Sequence, residues 1–382
     1  MPIALPLSRL DDVDWASLEH AYGDASDVPD HLRAIAAGDD DALDQILYSL
    51  DHQGVMRFES TLRAVPFLVG LIAERATPRR GAIARILAEF AVGDTAWFLH
   101  DGFHPERQVR PDDCARAQAS TVIEGAGAVI RGFPTIGDGH DMTRGHGLLE
   151  IHEAICEGIP VYLAALEEPD APEDLRASIP FLCAWLTTHA TAIAPALAAR
   201  IERDHSPSVR ASAMLGLSHV VKFDPDEKRG ALSLLLARHH AAHTPVERRC
   251  LALALSRFEE PSETVDARAE LRADLARGVP AAMPDEDFPW QRIDSPPFVF
   301  CEAFLGAAPD DRAPVIAAGL ACLPTITDPD DAADLAVWLA RLAMPEAAKT
   351  LAAHDPSWHY TDLANALRER GYTGERDELK NL

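Results

Sequence analysis

Positive charge and aromatic side chains are scarce in this sequence. The 382 residues include 35 Lys or Arg against 61 Asp or Glu, which gives a formal net charge of −26, and aromatic residues make up only 6%. A surface with so few cations is unfavourable for the phosphate backbone of a nucleic acid. The same charge suits a soluble surface or a cationic protein partner. We therefore expect protein binding rather than nucleic-acid binding.

Closely spaced cysteines, a signal peptide and a membrane-length apolar run are also missing. The nearest two of the six cysteines, Cys301 and Cys322, are 21 residues apart, so no Cys-x-x-Cys ligand pair exists. The N-terminal segment has no basic start, and its apolar run is too short for a signal peptide. No run reaches the length of a membrane span. We expect a cytoplasmic protein with buried, reduced thiols.

The sequence contains partial matches to nucleotide-binding and catalytic motifs, and each match lacks a required residue. Gly125 and Gly127 start a dinucleotide fingerprint, but Ile130 occupies the third glycine position, and the P-loop pattern is absent. The segment His152–Cys156 approaches the zinc-protease motif but ends in cysteine where the second histidine is needed. We assign no catalytic or cofactor-binding residue and expect a protein that is not an enzyme.

Two groups of histidines are candidates for metal binding. His239 and His243 are one helical turn apart beside His240, but no carboxylate or cysteine at helical spacing completes a site. The glycine-rich stretch that contains His140 and His146 could also gather ligands. A helix end and a solvated loop are the simpler interpretations of these two segments, so no metal site is assigned.

A repeated helical unit organises the sequence. Residues 206–217, SPSVRASAMLGL, begin with a serine N-cap and a proline in the first turn, and residues 244–255, TPVERRCLALAL, repeat this pattern 38 residues later. Small or branched residues, including Gly216, follow one helix face that another helix can approach closely. Arg210 and Arg248 occupy equal positions and are expected to pair with acidic neighbours between layers.

The repeat period predicts the architecture. A spacing of about 38 residues falls within the range of helical solenoids. We therefore predict an all-α fold, an α-α superhelix that forms one domain over residues 1–382. A unit of roughly 40 residues gives about eight to nine helical hairpins along the chain.

Three segments depart from the repeat. Residues 1–27 are predicted to form an N-terminal arm with a short helix around Trp15–Tyr22, before a first helical hairpin over residues 29–50. Residues 99–147 and 281–297 are irregular insertions. Insertions in a repeat array often carry the binding function, although a variable loop is the simpler interpretation of each.

The repeated stretch resembles a known family. SPSVRASAMLGL resembles the second helix of a HEAT repeat, in particular the bacterial phycobilisome-lyase-type HEAT repeats. Trp15 with residues 19–29, 48–54 and 63–68 resembles the opening of an uncharacterised, actinobacterial-type group of HEAT-repeat proteins. The resemblance implies a HEAT/ARM-type solenoid that acts as an interaction scaffold. Because relatives are suspected of being immunity proteins beside toxins, it also suggests an immunity or adaptor role with a basic partner. It carries over no catalytic residue.

Candidate partner-binding residues lie where the repeat is interrupted. A polar turn before Gly54 could either cap helix ends or contact a partner. The second insertion places an acidic triplet beside a tryptophan. The candidates from these two segments are His52, Gln53, Asp285, Glu286, Asp287 and Trp290.

Two other classes of function stay open at this point. A HEAT-repeat enzyme acting on nucleic acid or a tetrapyrrole would show a basic cleft or a stoichiometric metal. A structural subunit of a larger complex would not occur alone in the cell. The sequence leaves the oligomeric state undetermined.

Overall fold

The chain is mostly helical and forms two compact units, residues 1–235 and residues 236–382. The computed structural model describes residues 4–52, 56–93, 148–242, 244–258, 261–276 and 309–322, together with residues 290, 335, 339 and 342. The predicted all-α class is confirmed. The continuity of a repeat array over the whole chain stays a prediction.

Nine helices described in the first unit account for most of its described residues. They are α1 (Val28–Ala37), α2 (Asp40–Leu50), α3 (Glu59–Ala73), α4 (Arg80–Val92), α5 (Leu148–Glu157), α6 (Ile159–Leu166), α7 (Glu173–Ala184), α8 (Ala190–Arg203) and α9 (Pro207–Val220). Helix α10 (Pro225–Ala241) contains the boundary between the units. The first insertion, 99–147, lies outside the described residues.

Short strands and 3-10 turns lie between the α-helices, most of them near the N-terminus. Four two-residue strands form two antiparallel pairs, β1 (Glu19–His20) with β2 (Gly23–Asp24) and β3 (Asp51–His52) with β4 (Met56–Arg57). Three-residue or six-residue 3-10 turns cover Leu7–Asp12, Trp15–Ser17 and Thr187–His189.

The predicted short helix around Trp15–Tyr22 is wrong in its second half. After the 3-10 turn Trp15–Ser17 the chain enters the β1–β2 hairpin. Gly23 has a φ of +142°, which a right-handed helix cannot accommodate. The Ser60 hydroxyl, from the distant helix α3, donates to the Glu19 carbonyl at 2.7 Å and helps hold the extended strand.

The first predicted helical hairpin is confirmed. Gly38, with a φ of +92°, ends α1 in the left-handed conformation that glycine adopts at helix C-termini. The Asp39 side chain then accepts hydrogen bonds from the backbone N–H groups of Asp41 and Ala42 and so caps α2. The acidic first turn of α2 also complements the positive end of the helix dipole.

The helices of the first unit form two sets, and within each set a helix contacts the next member of the same set. Helix α1 contacts α3, α3 contacts α6, and α6 contacts α8. In the other set α2 contacts α4, α4 contacts α7, and α7 contacts α9. Because α1–α2, α3–α4, α6–α7 and α8–α9 are also neighbours, four helical hairpins succeed one another.

Glycines allow the second set of helices to approach closely. A Cβ atom added at Gly216 of α9 would lie 2.6 Å from the Pro180 carbonyl oxygen of α7. A Cβ atom added at Gly81 of α4 would lie 2.8 Å from the Asp174 carbonyl carbon, also in α7. The close approach predicted for the helix face that contains Gly216 is therefore confirmed.

Buried ion pairs connect the helices of the first unit. Arg80 donates two hydrogen bonds of 2.8 Å to the Glu168 carboxylate, and the two side chains are only 4% and 12% exposed. Asp204 is likewise buried and pairs with Arg176 at 2.9 Å and with Arg200 at 3.1 Å. Arginines therefore neutralise the carboxylates of Glu168 and Asp204.

The second unit contains three described helices, α11 (Pro245–Ser256), α12 (Pro261–Ala276) and α13 (Pro309–Cys322). Helix α11 packs against α12, and α12 packs against α13. Arg248 of α11 pairs with Glu270 of α12 at 2.8 Å, as the sequence predicts. In the first unit its counterpart, Arg210, donates a hydrogen bond to the Asp204 carbonyl oxygen at 2.7 Å.

The helix starts of the two repeated stretches are also confirmed. The Ser206 side chain accepts from the Val209 N–H at 3.3 Å, and the Thr244 side chain accepts from the Glu247 N–H at 3.4 Å. Glu247 replaces the apolar residue expected from Val209 and is nevertheless buried. The Thr244 hydroxyl donates to its carboxylate at 2.6 Å, which satisfies the buried charge locally.

Candidate functional site

The N-terminal part of the first unit is strongly acidic. Residues 4–52 include twelve Asp or Glu and only two cationic side chains, Arg9 and Arg33. All of these acids except Asp51 are exposed. The segment therefore concentrates much of the negative charge that the whole sequence carries.

Helix α2 presents part of this charge on one face. Asp41, Asp44 and Tyr48 are exposed and follow the helical spacing of three and four residues. The opposite face, which includes Leu43 and Ile46, is buried against the core. Neither Asp41 nor Asp44 forms an ion pair within the described part of the chain, so both carboxylates face solvent.

Two exposed tyrosines lie within the acidic segment. Tyr22 is 65% exposed and Tyr48 is 54% exposed, more than any other large hydrophobic side chain among the described residues. The Ala21 N–H donates to the Ser49 carbonyl oxygen at 3.0 Å, so the backbones beside the two tyrosines are bonded to each other. We call Tyr22, Asp24, Asp41, Asp44 and Tyr48 the acidic tyrosine surface.

Hydrogen bonds from α3 fix the backbone beneath the acidic tyrosine surface. The Thr61 hydroxyl donates to the carbonyl oxygen of Leu50 at 2.6 Å, at the end of α2. The neighbouring Ser60 hydroxyl donates to the carbonyl oxygen of Glu19, at the start of the hairpin that carries Tyr22. Since both hydroxyls come from one buried helix turn, the two halves of the surface share one support.

The Tyr22 turn is closed by a histidine. The Tyr22 N–H donates to His20 Nδ1 at 3.0 Å, and His20 Nε2 lies 2.8 Å from Asp27 Oδ1. Asp27 also lies 3.4 Å from His31 Nε2 through its other oxygen. The buried His20 ring therefore connects the exposed tyrosine to the start of α1.

The predicted His52 turn follows Tyr48 of the acidic tyrosine surface by four residues in the sequence. His52 ends strand β3 directly after α2 and pairs in register with Met56 of β4. Gln53 lies outside the described residues. The choice between helix capping and partner contact stays open for both residues.

The second predicted binding segment is described only at its tryptophan. Trp290 is 1% exposed, and the Arg257 guanidinium lies 5.9 Å from its ring centroid. Such a cation–π contact stabilises a covered ring within the second unit. Asp285, Glu286 and Asp287 lie outside the described residues, and their role in binding stays a prediction.

The histidines with metal-like spacing have protein partners where they are described. His239 Nε2 lies 3.2 Å from Glu270 Oε2. His152 is buried, and its Nδ1 lies 3.0 Å from the Ala91 carbonyl oxygen. The described residues contain no group of three potential metal ligands, while His140, His146 and His243 lie outside them.

Burial also decides the chemistry of the His152–Cys156 segment. Burial lowers the pKa of His152 to about 4, against a weaker opposing effect of the hydrogen bond with Ala91. Burial raises the pKa of the Cys156 thiol to about 12, so the thiolate that binds zinc or attacks substrates is disfavoured. These side chains therefore belong to the packed core.

No protein-family model, curated protein or solved structure matches this chain. Among the described residues no single helix is both long and apolar enough to cross a membrane. Helix α7 and residues Thr187–Arg203 meet the length and composition criteria only together, and they are bent by 96° relative to each other.

Sequence reasoning missed the acidic tyrosine surface. Its two tyrosines are 26 residues apart, and the hydrogen bond between Ala21 and Ser49 that joins them is a tertiary contact. One local signal was present. The acidic run at the start of α2 continues at helical spacing through Asp44 to an aromatic residue, where an amphipathic helix would expose a polar one.

Proposed function

We propose that this protein is a non-catalytic helical scaffold that binds a cationic protein partner through the acidic tyrosine surface. The observation that carries the proposal is the exposure of Tyr22 and Tyr48 within an acidic segment, on backbones that the Ala21–Ser49 hydrogen bond joins. Tyrosine is enriched in protein interfaces because it supplies contact area at a low cost in conformational entropy.

The chemistry of the surface favours arginine and lysine on the partner. The carboxylates of Asp24, Asp41 and Asp44 attract cations over a distance of several ångströms and speed association. A guanidinium or ammonium group that reaches the surface can then pack on a tyrosine ring in a cation–π contact. Long-range attraction and short-range aromatic contact thus select the same partner chemistry.

The scaffold is proposed to be a HEAT/ARM-type solenoid. Supporting this, the helical hairpins of the first unit succeed one another, with each helix contacting its counterpart in the next hairpin. The hydroxyl cap and the first-turn proline also occur in both repeated stretches, at Ser206–Pro207 and at Thr244–Pro245. An immunity or adaptor protein is the form of this function that fits the sequence resemblance, with a basic toxin or enzyme as the partner.

Calorimetric titration tests the proposed function. The probes are the basic proteins encoded by the genes beside this one, each titrated at about 50 mM and about 300 mM salt because salt screens surface charges. We expect one of them to bind, with a weaker affinity at the higher salt. The double variant Tyr22→Ala/Tyr48→Ala should reduce the affinity about tenfold or more, as the loss of two aromatic contacts does at interfaces.

Phe223→Ala is the matched control, because Phe223 is the remaining exposed large hydrophobic residue among those described and is 37% exposed. We expect this variant to bind as the unmodified protein does. The proposal is overturned if none of these proteins binds, or if neither salt nor the tyrosine substitutions change the affinity.

A further inference from the structure

Both ring nitrogens of His20 are engaged in the hairpin that carries Tyr22. The ring is buried, with 4% of the side chain exposed. Because Nδ1 accepts a hydrogen bond from the Tyr22 N–H, it carries no proton. The proton of the neutral ring is therefore on Nε2, which donates to Asp27. This arrangement requires the neutral form of the imidazole.

An imidazolium ion cannot make the same two bonds. Both of its nitrogens carry protons and neither accepts a hydrogen bond, whichever way the ring is turned. When a proton from water adds to Nδ1, the Tyr22 N–H loses its acceptor. The bond from Nε2–H to Asp27 persists and becomes an ion pair, so the charged ring keeps its anchor while the turn loses its closing bond.

The charged groups around His20 are carboxylates and one further imidazole. Asp27 contacts His20 and is shared with His31, and Asp24 of β2 lies close enough for the imidazole charge to affect it. A hydrogen bond with Ser26 is the main cause that lowers the pKa of Asp24. This carboxylate is therefore ionised at every pH at which an ordinary imidazole changes charge. Glu19 precedes His20 in β1, and α3 reaches this strand through the uncharged Ser60 hydroxyl.

We infer that His20 is a pH switch for the acidic tyrosine surface: its protonation opens the Tyr22 turn and weakens binding of the cationic partner. The effect on binding rests on the proposed function, whereas the opening of the turn does not. The switch is tested over the range from about pH 8 to about pH 5, in which an ordinary imidazole changes charge.

Nuclear magnetic resonance of the full chain tests the switch without a partner. Selective 15N labelling of histidine and tyrosine reduces the spectrum to 16 histidines and 5 tyrosines. At about pH 8 we expect the His20 nitrogen shifts of the Nε2–H tautomer. As pH falls, the Tyr22 amide resonance should move together with His20 protonation, and its hydrogen-exchange protection factor should fall about fivefold, the loss expected for one hydrogen bond.

Three variants separate His20 from its neighbours. His20→Asn keeps an acceptor for the Tyr22 N–H, because an asparagine side chain accepts from the amide two residues later, but it cannot titrate. Its Tyr22 amide should be insensitive to pH. His31→Gln removes the second imidazole and should leave the transition in place. Asp27→Asn removes the charge that stabilises the imidazolium, so its transition should move to lower pH.

The switch is overturned if the Tyr22 amide stays unchanged while the His20 ring titrates, or if the ring does not protonate above about pH 5. Partner affinity measured at the two ends of this range should fall in the unmodified protein by about fivefold more than in His20→Asn. If no partner binds but the amide responds, the proposed function fails and the turn opening stands. If a partner binds equally at both pH values, the switch fails alone.

Discussion

Polar side chains are buried where α7 packs against α9 and exposed on the acidic tyrosine surface. Every residue of α9 from Ala211 to Val220 is buried, and Ser212 donates to the Ala177 carbonyl oxygen at 2.6 Å. On α2 the carboxylates of Asp41 and Asp44 point away from the protein and lie beside an exposed aromatic ring. The first region uses its polar groups to stabilise the fold, and the second leaves them available for association.

The same comparison holds for charge. Glu168 and Asp204 are enclosed by arginines, and hydrogen bonds from Arg80 lower the pKa of Glu168. Burial opposes ionisation of Asp204, but hydrogen bonds from the Ser206 N–H, Arg176 and Arg200 outweigh this effect and lower its pKa. The ionised carboxylates of Glu168 and Asp204 therefore stabilise the folded protein. The following substitutions test whether buried polar groups stabilise the fold and exposed ones do not.

The largest effect is expected from Glu168→Gln. The substitution leaves the buried Arg80 guanidinium without its anionic partner, and breaking a buried pair in this way costs about 3 kcal/mol or more. Glu59→Gln is the matched control, since the Glu59–Arg63 pair has the same 2.8 Å separation but side chains that are about 40% exposed. The control should cost about 0.5 kcal/mol or less. Urea unfolding measures both, and equal losses would contradict the comparison.

A pH-dependent loss of similar size is expected from His152. Its pKa is about 4 in the folded protein against 6.5 for the ordinary side chain, so the unfolded chain binds a proton more readily. The stabilising contribution is complete above about pH 6.5 and falls by about 3 kcal/mol as pH decreases to about 4. His152→Asn, which can still donate to Ala91, should flatten this part of the profile.

Urea unfolding at several pH values checks the His152 prediction. Replacing the buried His152 also changes the core packing at neutral pH, so the slope of stability against pH is the quantity to compare. His31→Gln, which removes an imidazole that is 24% exposed, serves as the control and should change the slope less than His152→Asn does. An unchanged slope in His152→Asn would show that other groups cause the loss in acid.

A smaller loss is expected from Gly216→Ala. The added methyl group would lie 2.6 Å from the Pro180 carbonyl oxygen, so α7 and α9 must separate, at a cost of about 2 kcal/mol. Gly230→Ala, on α10, is the control because a methyl group there meets no atom within 4 Å. It should stabilise the protein by up to about 1 kcal/mol through helix propensity. Thermal unfolding of the two variants should therefore shift in opposite directions.

Local chemistry explains what the sequence could predict. Gly38 and the acidic run after it define the first helical hairpin without help from distant residues. Ser206 and Thr244 are helix caps because a hydroxyl followed by proline favours a helix start wherever it occurs. The small residue at Gly216 indicates close helix packing, although the sequence does not identify the partner helix as α7.

The rest depends on side-chain contacts that the repeat pattern does not specify, most of them between residues far apart in the chain. The β1–β2 hairpin replaces a predicted helix because Ser60 and Asp27 bond to it. The burial of Trp290 under Arg257 is likewise a tertiary contact, and the sequence gives only a tryptophan in an acidic stretch. Glu247 departs from the repeat pattern and is satisfied by its neighbour Thr244, a compensation that periodicity alone does not reveal.

The smallest effect on stability is expected at the acidic tyrosine surface. Asp44 lies three and four residues after Asp41 and Asp40, so Asp44→Asn removes like-charge repulsion within α2 and should change the unfolding free energy by about 0.5 kcal/mol or less. Asp39→Ala is the control, because loss of the α2 cap should cost about 1 kcal/mol. Asp44→Asn should nevertheless weaken partner binding at low salt. A residue that matters for binding but not for folding is what an interaction surface requires, and a large stability loss at Asp44 would instead place this carboxylate with the structural charges of the packed region.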